Sequence, residues 1–178
     1  DAVLQEGGTI YRMLGDGLLI MFGMPEPIED EGLHAVRAAV RMSQAVNELQ
    51  AFWPLKQEGP LGMGIGIHHG PMVDAIVGRG RQVDYAIIGD AANTAARIES
   101  YCKEVVHIPR PVLQLPLFSV PETVTILISQ PLYALVKEHI LADNNIPPFA
   151  ARGKAEPVQV GEGIADGRQF SPLDLALA

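Results

Sequence analysis

Apolar and polar positions along the chain fall into short runs whose spacing separates strands from helices. Thr9 to Leu14 and Leu18 to Phe22 are mainly apolar runs on either side of Gly15-Asp16-Gly17. Two such runs joined by a tight Asp-Gly turn predict a β-hairpin. Pro25 and Pro27 then interrupt the pattern, and Glu29-Asp30-Glu31 places acidic charge where a helix N-terminus favours it. From Leu33, apolar residues recur at Val36, Val40, Val46, Leu49 and Trp53, a helical spacing that puts Arg37, Arg41 and Glu48 largely on the wet side and ends at Pro54.

Further along, Leu61 to His69 is Gly-rich but alternates Met63, Ile65 and Ile67, which predicts a strand. A bend at Gly70-Pro71 leads to a second strand over Met72 to Val77, and a third covers Val83 to Ile88, ending in Gly89. Asp90 is placed to cap a helix running through Asn93, Ala96 and Arg97 to about Tyr101. The stretch from His107 to Pro121 holds four prolines and is expected to be an extended insertion: an arm against a partner, or a loop covering its own core. Val124 to Ile128 predicts a strand, Leu132 to Ile140 a helix, and Phe149 to Val160 a hairpin turning at Gly153-Lys154. Strands and helices mix without strict alternation, so the expected class is α+β, one domain over residues 1–178 with helices packed on a sheet.

Composition narrows the functions available. With hydrophobic residues at 48% and charged residues at 19%, the chain can build a core. A net charge of −8 without a basic stripe argues against nucleic acid as a partner. The longest apolar runs fall short of the roughly 18 residues of a spanning helix, and no signal peptide is visible. The lone Cys102 excludes an internal disulfide and fits a reducing, cytoplasmic setting. Because the sequence does not begin with Met, a longer parent with additional domains is expected.

Two places offer chemistry. Asp16, at the tip of the expected hairpin, holds its carboxylate clear of the strands as a ligand for a hard cation would; Asp-Gly is equally a common turn pair. Asn93 and Arg97, four apart on the expected helix, project from one face and could hold a sugar oxygen and a phosphate. By spacing alone an ordinary solvated helix face is the favoured reading. His68 and His69 are adjacent, so they point to opposite sides of a strand and are read as structural. Gly62-Met63-Gly64-Ile65-Gly66 lies inside a strand and is not followed by the helix that a dinucleotide fingerprint needs. Arg79 and Arg81 could reach a phosphate or decorate a loop.

Tyr11-Arg12-Met13-Leu14-Gly15-Asp16-Gly17-Leu18-Leu19-Ile20-Met21-Phe22-Gly23 resembles the metal-binding hairpin of class III adenylate and guanylate cyclases. Gly64-Ile65-Gly66-Ile67-His68-His69-Gly70-Pro71, and Tyr85 to Asn93 continued through Arg97-Ile98-Glu99, resemble two further signatures of that family in the same order. The resemblance runs from Gly7 to Ser100 and resumes over Val124 to Val160. It implies a ferredoxin-like fold whose sheet is mainly antiparallel. It also implies two metal ions, Mg²⁺ or Mn²⁺, held by two aspartates, and attack of a ribose 3′-hydroxyl on the α-phosphate to give a cyclic nucleotide and pyrophosphate. On this chain Asp16 matches one metal aspartate, Asn93 the ribose-orienting residue, Arg97 the transition-state arginine and Lys154 a phosphate-binding lysine. The partner face implied is that of a head-to-tail homodimer, with cyclic-nucleotide signalling as its role.

The sequence departs from the family pattern in two places that bear on chemistry. The family's opening strand carries a Phe-x-Asp-Ile pattern with the other metal aspartate; no such pattern occurs here, and Asp1 is too close to Asp16 to replace it. The first strand is therefore expected to be missing from this chain. The purine-selecting positions hold Arg12 and Ala86, four before Asp16 and seven before Asn93, where adenylate cyclases typically carry Lys and Asp or Thr. Ala86 can hydrogen-bond neither base, so ATP is expected on family frequency, with GTP as the alternative. A degenerate domain that only binds nucleotide or a partner is the competing reading. A diguanylate cyclase is not, since the Gly-Gly-Asp/Glu-Glu-Phe hairpin is absent.

Overall fold

A computed structural model describes residues 1–55, 57, 59–79, 82–105, 123–143, 146–150 and 157–165, with backbone alone at 76–79, 82–85, 141–143 and 162–165. A short helix α1 (Ala2–Gln5) precedes the strands β1 (Thr9–Leu14) and β2 (Gly17–Met21). Helix α2 (Glu31–Leu49) follows, then β3 (Met63–Ile67), β4 (Val73–Arg79), β5 (Gln82–Ile88) and α3 (Asp90–Val105). The chain continues as β6 (Val124–Ser129), α4 (Gln130–Val136), β7 (Ile140–Asp143) and β8 (Val160–Ala165).

Four strands form the central sheet in the order β3-β6-β8-β7. β3 runs parallel to β6, whereas β8 is antiparallel to both β6 and β7. Every residue of β6 is buried, the pattern of a strand covered on both faces. Val124, Ile126 and Ile128 face α2 through Ala39, Val46, Leu33 and Val36. Leu127 faces α3 through Ile98, Cys102 and Val105. Burying aliphatic side chains of this size contributes about 1.5–3 kcal/mol each, so this helix–sheet–helix sandwich is the stable platform on which the remaining elements stand.

The two hairpins, β1-β2 and β4-β5, are two-stranded sheets of their own. Gly15 has φ of +65°, the left-handed geometry that lets Leu14 pair directly with Gly17. The polar lock beneath the first hairpin was not legible in the sequence. Glu6 is buried and accepts from Arg41 Nε at 2.6 Å, with His34 Nδ1 at 3.2 Å, joining α1 to α2. The expectation that Arg41 lies on the wet side of α2 is thus corrected, because its charge is consumed by a carboxylate 35 residues earlier.

Other element ends move as well. Helix α2 stops at Leu49 and passes into a 3-10 turn, Gln50–Phe52, before Trp53, which is extended. The Gln50 amide ties that end to the backbone of Leu61 and to Thr123 Oγ1. The helix expected over Leu132–Ile140 ends at Val136. The His139 N–H closes a turn on the Val136 carbonyl at 2.8 Å, and Ile140, buried, opens β7 instead. The helix from Asp90 is one turn longer than expected, since Cys102 and Val105 continue its buried stripe. Phe149 and Val158 pair antiparallel as the terminal hairpin predicts. Its turn, and the insertion at 107–121, lie outside the described residues.

Candidate active site

Asp16 is exposed at the tip of the β1-β2 turn, where the chain at Gly15 has no neighbouring atom within 4 Å of its side-chain direction. The carboxylate is therefore presented to solvent by two strands that fix its position. Arg12 sits on β1 opposite Leu19, next to a bulge at Tyr11, with its guanidinium carbon 5.7 Å from the Tyr11 ring centre.

Asn93 and Arg97 are carried by α3. The apolar stripe Ala91, Ile98, Cys102 and Val105, with Thr94, is buried, which leaves Asn93 exposed and Arg97 half-buried along the adjoining stripe. One helical turn separates them, so they can engage neighbouring groups of one ligand. Thr94 Oγ1 donates to the Asp90 carbonyl at 2.9 Å and lies 3.3 Å from its carboxylate, which ties down the first turn. At the other end, Tyr101 donates to the Pro147 carbonyl at 3.1 Å and stacks on Phe149 with centroids 4.4 Å apart.

Helix α3 rests on β3 through glycine. A methyl group at Gly66 would stand 2.3 Å from Glu99 N and 2.5 Å from Ala95 O; at Gly64 it would stand 3.0 Å from Cys102 Cβ. Sequence reasoning placed these glycines correctly in a strand but missed this role. The signal was the Gly-x-Gly spacing, which puts two bare positions on one face of a strand.

Ala86 is half-buried on β5, paired with Ala75 of β4, and offers only a methyl group. His68 Nδ1 lies 2.8 Å from Ser129 Oγ, whose oxygen also accepts from Leu132 N at 3.5 Å to cap α4. His69 Nδ1 is 3.9 Å from Glu31 Oε1. Both contacts agree with structural roles. Lys154 and Arg81 lie outside the described residues, and of Arg79 only the backbone is described.

Cys102 is buried under α3, with its thiol near the carbonyls of Ile65, Ile98 and Thr125 at 3.5–3.6 Å. Burial pushes its pKa from 9.0 up to about 12, with Glu99 adding to the rise and backbone hydrogen bonds opposing it. The folded chain keeps its thiol proton where the unfolded chain has lost it. The stabilisation is therefore full below pH 9.0 and is lost as pH rises through about 12. Iodoacetamide at about pH 8 is expected to leave native Cys102 unmodified and to label it on unfolding. The denaturant midpoint of the wild type should fall more steeply above pH 9.0 than that of Cys102→Ala.

The site residues come together in two groups, Arg12 with Asp16 on one hairpin and Asn93 with Arg97 on one helix. Among the described residues no cluster of three or more His, Cys, Asp or Glu stands ready to hold a metal ion. One exposed carboxylate fits an Mg²⁺-type ion that keeps waters and is completed by substrate phosphates; it does not make an all-protein cage.

Comparison with known proteins bears on these groups. The sequence model of the adenylate and guanylate cyclase catalytic domain matches residues 4–116. An adenylate cyclase of Anabaena cylindrica is 34% identical over 110 residues, 58% of this chain and 20% of that protein. The soluble guanylate cyclase subunit beta-2 of Rattus norvegicus is 32% identical over 94 residues, 52% of this chain and 13% of that protein. The chain thus spans a fifth or less of the length of these two curated relatives. Among solved structures, the guanylyl cyclase Cya2 superposes with a TM-score of 0.73 at 26% identity, covering 96% of this chain and 76% of that one. The adenylyl cyclase CyaB from P. aeruginosa gives 0.72 at 26%, covering 96% and 78%. Among the described residues no helix is long and apolar enough to cross a membrane.

Proposed function

We propose that this chain, which belongs to the adenylate and guanylate cyclase catalytic domain family, forms 3′,5′-cyclic AMP and pyrophosphate from ATP in a head-to-tail homodimer. The observation that carries this reading is the pairing of exposed Asn93 with half-buried Arg97, one turn apart beside the buried stripe Ala91, Thr94, Ile98, Cys102 and Val105.

In the reaction the ribose 3′-oxygen forms a bond to the α-phosphorus. The bridging bond from the α-phosphorus to the β-phosphate breaks, and pyrophosphate leaves with the electron pair while the hydroxyl proton passes to solvent. Asn93 holds the ribose in the orientation that brings the hydroxyl into line. Arg97 places its guanidinium on the α-phosphate, where negative charge concentrates as the new bond forms. Mg²⁺ or Mn²⁺, two ions when bound, supplies Lewis-acid activation and charge neutralisation, and Asp16 is the residue of this chain that holds them. Arg12 and Ala86 take the purine edge, and Lys154 the triphosphate. Asp16 and Arg12 of one subunit face Asn93 and Arg97 of the other.

Two observations favour other readings. Ala86 has no group to discriminate adenine from guanine, and a site without a polar partner selects weakly; a guanylate cyclase is the alternative substrate reading. The unusual pair of Arg12 and Ala86 at the purine positions favours a module that binds nucleotide without turnover. One assay separates all three. The full-length protein carrying this chain is given Mn²⁺ with equal ATP and GTP, and cyclic products are identified by mass spectrometry. Cyclic AMP in excess is the expected result. Cyclic GMP in excess reverses the substrate, and nucleotide binding without product leaves the regulatory module.

A further inference from the structure

The geometry points to Gly66 as a positioning residue for the transition-state arginine: its missing side chain sets how deeply α3 sits on β3, and so where Arg97 stands. This rests on the proposed cyclase reading. The distances single out this position. A methyl at Gly66 would meet Ala95 O and Glu99 N, at 2.5 and 2.3 Å, which are the two ends of one helical i to i+4 pair. Arg97 lies midway between them and Asn93 one half-turn before. Both clashing atoms are backbone, so no rotamer change relieves them. The helix itself must lift by about 1 Å to regain ordinary contact.

The neighbouring seats differ in kind. At Gly64 the tightest neighbour of an added methyl is Cys102 Cβ at 3.0 Å, so a few tenths of an ångström suffice. At Gly32, on α2, the neighbour is Leu132 Cδ1 at 2.8 Å, the tip of a flexible side chain remote from α3. Three added methyls are therefore graded in how far they move Arg97, although all three crowd the core. A residue that mattered for packing alone would show no such grading in the chemical step.

The test is Gly66→Ala, Gly64→Ala and Gly32→Ala in the full-length protein, with kcat and KM for ATP, dimer formation, and crystal structures of the variants. A misplacement of about 1 Å costs on the order of 10²-fold in rate. Gly66→Ala is expected to lose about that factor in kcat with KM little changed, Gly64→Ala a smaller part of it, and Gly32→Ala none. If Gly66→Ala does not fold, Gly64→Ala carries the test through its smaller loss, likewise confined to kcat. A lifted α3 with unchanged kcat, or equal losses in all three variants, overturns the inference. Absence of cyclic product in the wild type instead overturns the cyclase reading, and the crystal structures still report whether Gly66→Ala lifts α3.

Discussion

Arg97→Ala is expected to lower turnover by at least about 10²-fold, the usual consequence of removing one preorganised donor from developing charge. The half-buried setting of Arg97 on α3 is what makes the loss large. A fully exposed guanidinium would be screened by water and worth little, whereas Arg97 is half-buried between the buried Thr94 and Ile98 of its helix. In the proposed role it acts on charge that appears only as the new oxygen–phosphorus bond forms, so the loss should fall on kcat, with KM for ATP changed far less. Arg97→Lys should recover only part of the rate, since a point charge does not reproduce the planar fork that meets two phosphate oxygens. Steady-state kinetics of the two variants checks this. Near-normal turnover in Arg97→Ala would remove the residue from the mechanism.

The elements that place Arg97 and Asp16 were readable in the sequence because local chemistry decides them. Gly15-Asp16 requires a tight turn, and the buried positions from Ala91 to Ile98 recur at helical spacing. Element ends were less legible where a distant residue decides them. The Gln50 amide, bonded to the backbone of Leu61, is what terminates α2's surroundings. Ile140 leaves the helix to open a strand on β8, where it pairs with Ala165 far along the chain. The Glu6–Arg41 pair was invisible for the same reason, and the Gly-x-Gly spacing marked a bare face on β3 without saying which element would sit on it: neither local propensity nor periodicity encodes which element will arrive against a given face. Within the proposed site, the choice of Asp16, Asn93 and Arg97 followed from motif resemblance, while spacing alone favoured a solvated helix face. What spacing does not supply is the proposed second subunit, because periodicity along one chain carries no information about which copy a helix face will meet.

Asp16→Ala should abolish metal-dependent product, with a loss of about 10³-fold or more, because an ion that activates the nucleophile contributes several kcal/mol to the barrier. Chelation with EDTA should reproduce that loss in the wild type and have no further effect on the variant. The more decisive experiment mixes Asp16→Ala with Arg97→Ala, each inactive alone. In a head-to-tail dimer related by a two-fold axis, each site draws Asp16 from one subunit and Asn93 with Arg97 from the other. A mixed dimer then holds one site with both defects and one site with neither. Random reassociation of equal amounts makes about half the dimers mixed, so activity should return to about a quarter of the wild-type value. A site built within a single chain gives the opposite result, since every copy keeps its own defect and mixing restores nothing. Recovery near one quarter therefore supports both the role of Asp16 and the subunit that Asn93 and Arg97 serve; no recovery, with dimers still formed, would place hairpin and helix in one active site of the same chain.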